Sequence, residues 1–94
     1  MKNKGEKNYQ IIFDKRAAKQ LKKLPKEIQG HLKSKIAELS INPRPPGVVK
    51  LTGKDKIYRV RVGDYRIIYQ IQDNELIILI AQVSDRKNAY KDKI

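Results

Sequence analysis

The chain has 94 residues, enough for one domain with its own core and no room for a second. Twenty-two lysines and arginines stand against ten aspartates and glutamates, giving a net charge of +12, and cysteine is absent. Disulfides and thiolate metal sites are therefore excluded. A polyanionic partner, nucleic acid above all, is the expectation. The plainer alternative is a lysine-rich surface kept for solubility.

Residues 1–7, "MKNKGEK", are polar and charged and read as a disordered basic tail, leaving 8–94 as a single domain. The N-terminal stretch lacks the apolar run of a signal peptide. The longest apolar run, "LIILIA" at 76–81, is far too short to cross a bilayer. A cytoplasmic protein without a membrane partner is expected.

"NYQIIF" (8–13) reads as a short strand. Asp14 offers a helix N-cap, and "KRAAKQLKKL" follows with Ala17, Ala18, Leu21 and Leu24 on one side. Pro25 marks where a second helix can start, with Glu27 in its first turn, where the helix dipole favours an anion. Ile28, Leu32, Ile36 and Leu39 then recur at helical spacing as a core-facing stripe. "NPRPPG" (42–47) ends the helix in a stiff loop.

From Val48 the apolar period becomes two. "IYRVRV", "YRIIYQIQ" and "LIILIAQVS" read as three strands joined by turns at Gly63-Asp64 and Asp73-Asn74. The order β-α-α-β-β-β predicts an α+β fold, with two helices packed on a small, mostly antiparallel four-stranded sheet. Alternation puts Tyr58, Val60, Val62, Tyr65, Ile67, Tyr69 and Ile71 on the face that packs on the helices. Ile57, Arg59, Arg61, Arg66 and Ile68 take the other face.

That assignment crowds guanidiniums together, and like charges directly opposite on a sheet oppose each other by roughly 0.2–1 kcal/mol per pair. Only six of the twenty-two cations are arginine, yet three of the six fall in this patch, and lysine is absent from the same three strands. The planar five-donor guanidinium suits phosphate, so a phosphate site is the preferred explanation over an ordinary solvated face. Lys15, Lys19, Lys22, Lys23 and Lys26 form a further basic stripe along the first helix, suited either to RNA phosphates or to simple solvation.

Other catalytic parts are scarce. His31 is the only histidine and reads as a surface or boundary side chain. No nucleotide-binding glycine loop and no metal-ligand spacing occur, so neither a cofactor nor a metal is expected. Arginine, lysine, tyrosine and isolated acids suit metal-free RNA cleavage, in which the ribose 2′-hydroxyl is the nucleophile and the protein orients it, moves protons and offsets charge. The closing "VSDRKNAY" adds Arg86, Lys87 and Tyr90 beyond the last strand. There Arg86 can complete the guanidinium cluster and Tyr90 can stack on a base, or the segment can be a charged tail capping the sheet.

Taken together, "AAKQLKKLPKEIQ", "NPRPPG…KLTG", "IYRVRVGDYRIIYQI" and "VSDRKNAY" resemble the RelE/ParE superfamily of type II toxin–antitoxin toxins, over residues 9 to 90. The resemblance to the RelE-like branch implies a ribosome-dependent endoribonuclease, or mRNA interferase, that cleaves mRNA in the ribosomal A site and inhibits translation. Its implied partners are a cognate antitoxin and the 70S ribosome with its mRNA and rRNA. By position, Arg59 and Arg61 match the paired basic residues of the strand at 57–62, and Arg66 matches the arginine that contacts the scissile phosphate. Arg86 and Tyr90 match the C-terminal arginine and tyrosine implicated in leaving-group protonation and base stacking. Lys87 and the first-helix lysines would bind RNA. Two positions depart: Arg61 stands where some members carry a lysine base, and Asp85 where many carry histidine. Aspartate there either accepts the 2′-hydroxyl proton or pairs with a nearby arginine, and pairing is the expectation. The alternatives are a ParE-like inhibitor of DNA gyrase and a degenerate homologue that binds RNA and antitoxin without cutting.

Overall fold

Helical and strand periodicities partition the chain into two layers. The computed structural model describes residues 8–51 and 56–85; the expected tail at 1–7 and the segment carrying Arg86, Lys87 and Tyr90 lie outside the described residues. The order is β1 (Gln10–Phe13), α1 (Lys15–Lys22), α2 (Lys26–Ile41), β2 (Val49–Lys50), β3 (Ile57–Val62), β4 (Tyr65–Gln72) and β5 (Ile77–Asp85). The five strands form one mixed sheet in the order β1-β5-β4-β3-β2, with β1 parallel to β5 and every other pair antiparallel. This is the α+β arrangement expected, with one strand more than the four anticipated. The addition, β2, pairs Val49 with Arg59 and Lys50 with Tyr58, and two residues are too few to show an alternation.

The helices begin close to the expected places. Asp14 occupies the N-cap of α1 in extended backbone, but its side chain makes no capping bond; its carbonyl accepts the Ala18 N–H instead. Pro25 caps α2, and Gln29 Nε2 donates to the Leu24 carbonyl at 2.8 Å, tying the two helices at their junction. One apolar face of each helix is buried on the same side of the sheet. Ala17 and Leu21 of α1 and Leu32, Ile36 and Leu39 of α2 pack with Tyr58, Val60, Ile67, Tyr69, Ile71, Ile78, Ile80 and Val83. Among the described residues no helix is long and apolar enough to cross a membrane.

The proline-rich loop is fastened to the far end of this core. The buried Tyr69 hydroxyl donates to the Pro43 carbonyl at 2.7 Å. Arg44 reaches both carboxylate oxygens of Asp73, at 3.3 and 3.0 Å, and lies over the Tyr58 ring. The Tyr9 hydroxyl donates to Asp73 at 2.8 Å, which brings the start of β1 into the same network. Hydrogen bonds from Arg44 and Tyr9 hold the Asp73 carboxyl below the ordinary aspartate range. Burial pushes the Tyr69 hydroxyl above the ordinary tyrosine value.

Candidate functional site

The β3–β4 hairpin turns at Gly63-Asp64, between the paired Val62 and Tyr65. Gly63 takes φ 62°, a left-handed conformation that a glycine adopts without the Cβ clash of other residues. The turn fixes the register, and the register fixes the faces. Arg61 stands directly opposite Arg66, and Arg59 opposite Ile68, so Arg59 is also the diagonal neighbour of Arg66. Their neighbours Val60 and Ile67 point into the core. All three arginines therefore project from the sheet face that no described helix covers. Arg61 is exposed, whereas Arg59 and Arg66 are half-buried.

A β-bulge extends this site onto β5 in a way that strict alternation does not foresee. Tyr69 pairs with Ile80 but Ile68 pairs with Gln82, leaving Ala81 as the extra residue. Beyond the bulge, Val83 turns to the core while Gln82 and Ser84 share the face of the arginines. Without the bulge, the alternation that buries Ile78 and Ile80 would have sent Gln82 and Ser84 inward. The Val83 N–H, on the β5 edge beyond the end of β1, donates to Gln20 Oε1 of α1 at 2.7 Å. Two rows thus cross the face, Arg61–Arg66–Ser84 and Arg59–Ile68–Gln82.

The remaining anticipated residues divide clearly. Lys15, Lys19, Lys22, Lys23 and Lys26 are all exposed, but they belong to the helical layer and do not join the arginine cluster. His31 is exposed on α2. Asp85 pairs with Tyr65, so its register places it on the helical side of the sheet, whereas Arg66 and Ser84 have the opposite sense. Arg86, Lys87 and Tyr90 lie outside the described residues. No group of three or more His, Asp or Glu side chains that could hold a metal ion occurs among the described residues. An apolar groove of about 270 Å³, lined by Phe13, Ala18, Leu21, Lys22, Gln29 and Lys33, lies on the helical layer and offers no arginine or carboxylate. The arginine-bearing sheet face is the candidate site. Guanidiniums grouped in this way are suited to an anion, which they can hold through charge-assisted hydrogen bonds.

The structure is a small, basic α+β domain with arginines on the side of its antiparallel hairpin away from the helices, and comparison with known proteins places it within a family. Residues 11–90 match the family model for the ParE toxin of the type II toxin–antitoxin system parDE. RelE1 of Methanocaldococcus jannaschii is 36% identical over 87 residues, which cover 89% of this chain and 97% of that protein. The mRNA interferase toxin RelE of Escherichia coli is 30% identical over 83 residues, 86% of either chain. The intact E. coli RelBE toxin–antitoxin complex contains a chain superposing with a TM-score of 0.74 at 30% identity, over 82% of this chain and 95% of that one. The archaeal RelE–RelB complex of Pyrococcus horikoshii gives 0.75 at 31% identity, covering 84% and 96%. The chain belongs to the RelE/ParE superfamily of type II toxin–antitoxin toxins.

Proposed function

We propose that this toxin is a ribosome-dependent mRNA endoribonuclease that cuts in the A site, stops translation and is held inactive by a cognate antitoxin. The observation that carries this reading is the placement of Arg59, Arg61 and Arg66 together on the sheet face opposite the helices. The E. coli relative named as an mRNA interferase, and the relatives captured with RelB, support it. In the reaction, the ribose 2′-oxygen attacks the adjacent phosphorus and the bond to the 5′-oxygen breaks. The hydroxyl proton leaves to an acceptor, and the departing oxygen takes one up.

Arg59, Arg61 and Arg66 hold phosphate oxygens and offset the charge that builds in the transition state. Arg86 stabilises or protonates the leaving oxygen, Tyr90 stacks on a base, and Lys87 with the α1 lysines docks onto RNA phosphates. The nucleophile belongs to the substrate, so no metal-activated water is required. Arginine keeps its proton to a pKa above ~12, which makes Arg61 a charge stabiliser rather than a base. Primer extension on mRNA from a reconstituted translation reaction tests the reading. Discrete cuts that need ribosomes and vanish in Arg66→Ala are expected, and intact mRNA with unaffected translation would refute it.

The match to the ParE family model favours one alternative, inhibition of DNA gyrase by binding. DNA damage and filamentation on expression, with transcripts intact, would select it.

A further inference from the structure

Two side chains beside the arginines carry an unexplained polarity. Gln82 and Ser84 are only 4% and 8% exposed. Gln82 Nε2 and Ser84 Oγ are fully buried and have no hydrogen-bond partner among the described residues. Buried donors left unpaired cost free energy that apolar side chains of the same shape do not. A β-strand with Ile77, Ile78, Leu79 and Ile80 behind it has every local reason to continue with apolar residues.

The bulge at Ala81 sharpens the question. It disrupts the β4–β5 ladder locally, and its effect is to turn Gln82 and Ser84 out of the core and onto the arginine face. Ser84 stands directly opposite Arg66, and Gln82 is its diagonal neighbour through Ile68. Both are shorter than arginine and neither polar atom is reachable from solvent in the free protein, so a phosphate meets them only when the neighbouring side chains on this face move aside. A phosphodiester lodged among the guanidiniums presents several acceptor oxygens. Once reached, neutral donors complement the charged ones, as mixed donor sets do where charge is concentrated.

We propose that Gln82 and Ser84 are substrate-binding residues, which donate hydrogen bonds to phosphate oxygens of the RNA backbone held by Arg59, Arg61 and Arg66. The inference deepens the endoribonuclease reading by naming the neutral half of its phosphate site. It separates the two β5 residues from a purely structural role, because the two roles predict opposite changes in stability and binding.

The test uses Gln82→Met and Ser84→Ala in the full chain, with two readouts. Thermal unfolding measures stability. Fluorescence titration with an uncleavable 2′-deoxy trinucleotide, which keeps the phosphates, measures binding. Each variant is expected to melt at or above the wild-type temperature while binding the trinucleotide at least five-fold more weakly. On programmed ribosomes the half-saturating toxin concentration should rise more than the maximal cleavage rate falls. Lower melting temperatures with unchanged affinity per folded molecule would overturn the proposal and make both groups structural. So would a wild-type protein that fails to bind the trinucleotide. Wild-type cleavage with indifferent variants would defeat this inference alone. Trinucleotide binding that depends on Gln82 and Ser84, with no cleavage on ribosomes, would defeat the nuclease reading and leave this one standing.

Discussion

Arg61 and Arg66 occupy directly paired positions across the β3–β4 hairpin, with their side chains on the same face of the sheet. Like charges directly opposite on a sheet oppose each other, and a phosphate held by both guanidiniums would offset that opposition. Replacing Arg61 with alanine should leave stability unchanged or raise it by about 0.2–1 kcal/mol. The same change, or Arg66→Ala, should lower ribosome-dependent cleavage by roughly 10²–10³-fold, the usual cost of losing one transition-state donor. Thermal melts and primer extension on the same preparations check both halves, and a large fall in the Arg61→Ala melting temperature would point to a structural arginine.

The network around Asp73 ties the proline-rich loop and the start of β1 to the β4–β5 turn and should affect stability alone. Its ion pair with Arg44 is over two-fifths exposed on each side, so the charge attraction itself is worth little. Asp73→Ala also removes the Tyr9 hydroxyl's acceptor and loosens Arg44 from Tyr58. A loss of about 1–2 kcal/mol is expected from those hydrogen bonds, seen in urea unfolding, with cleavage by the folded fraction unchanged.

Acid and alkali should act on different residues. The Asp73 pKa is lowered in the folded state, chiefly by its hydrogen bond from Arg44. Its contribution is therefore present above the unfolded value of about 3.9 and disappears as pH falls through the lower folded value. The Tyr69 hydroxyl is raised by burial, so its contribution holds below about pH 10 and is lost as pH climbs through the higher folded value. Melting temperature against pH should show a shallower acid limb in Asp73→Asn and a shallower alkaline limb in Tyr69→Phe.

Tyr69→Phe also isolates one hydrogen bond. The ring is fully buried and the hydroxyl serves the carbonyl of buried Pro43. Removing the donor leaves that acceptor unsatisfied, at a cost of about 1–3 kcal/mol. The arginine face, on the other side of the sheet, should keep its affinity for the trinucleotide.

The α1 lysines belong to a different layer from the arginines, so their effect should be electrostatic and separable. Lys19, Lys22 and Lys23 changed together to alanine should flatten the salt dependence of ribosome association by about 2 in log–log slope if they contact phosphates. Cleavage at saturating toxin should be retained. An unaltered slope would assign the stripe to solvation.

Much of this molecule was legible before any coordinates. The stripe Leu32, Ile36, Leu39 and the alternation of Tyr58, Val60, Ile67, Tyr69 and Ile71 are local patterns, because helices and strands repeat their side-chain directions over a few residues. Those patterns, with Gly63 at the turn, were enough to bring Arg59, Arg61 and Arg66 to one face. Tertiary structure alone decided the rest. The parallel pairing of β1 with β5 joins residues more than sixty positions apart. The β4–β5 turn spans Asp73 to Leu76, with Leu76 at φ 57° and its carbonyl accepting the Gln10 N–H at the start of β1. The bulge at Ala81 sends Gln82 and Ser84 to the arginines and Asp85 to the other side. Periodicity read along one strand assumes an unbroken ladder, and only the partner strand shows where the ladder slips by a residue.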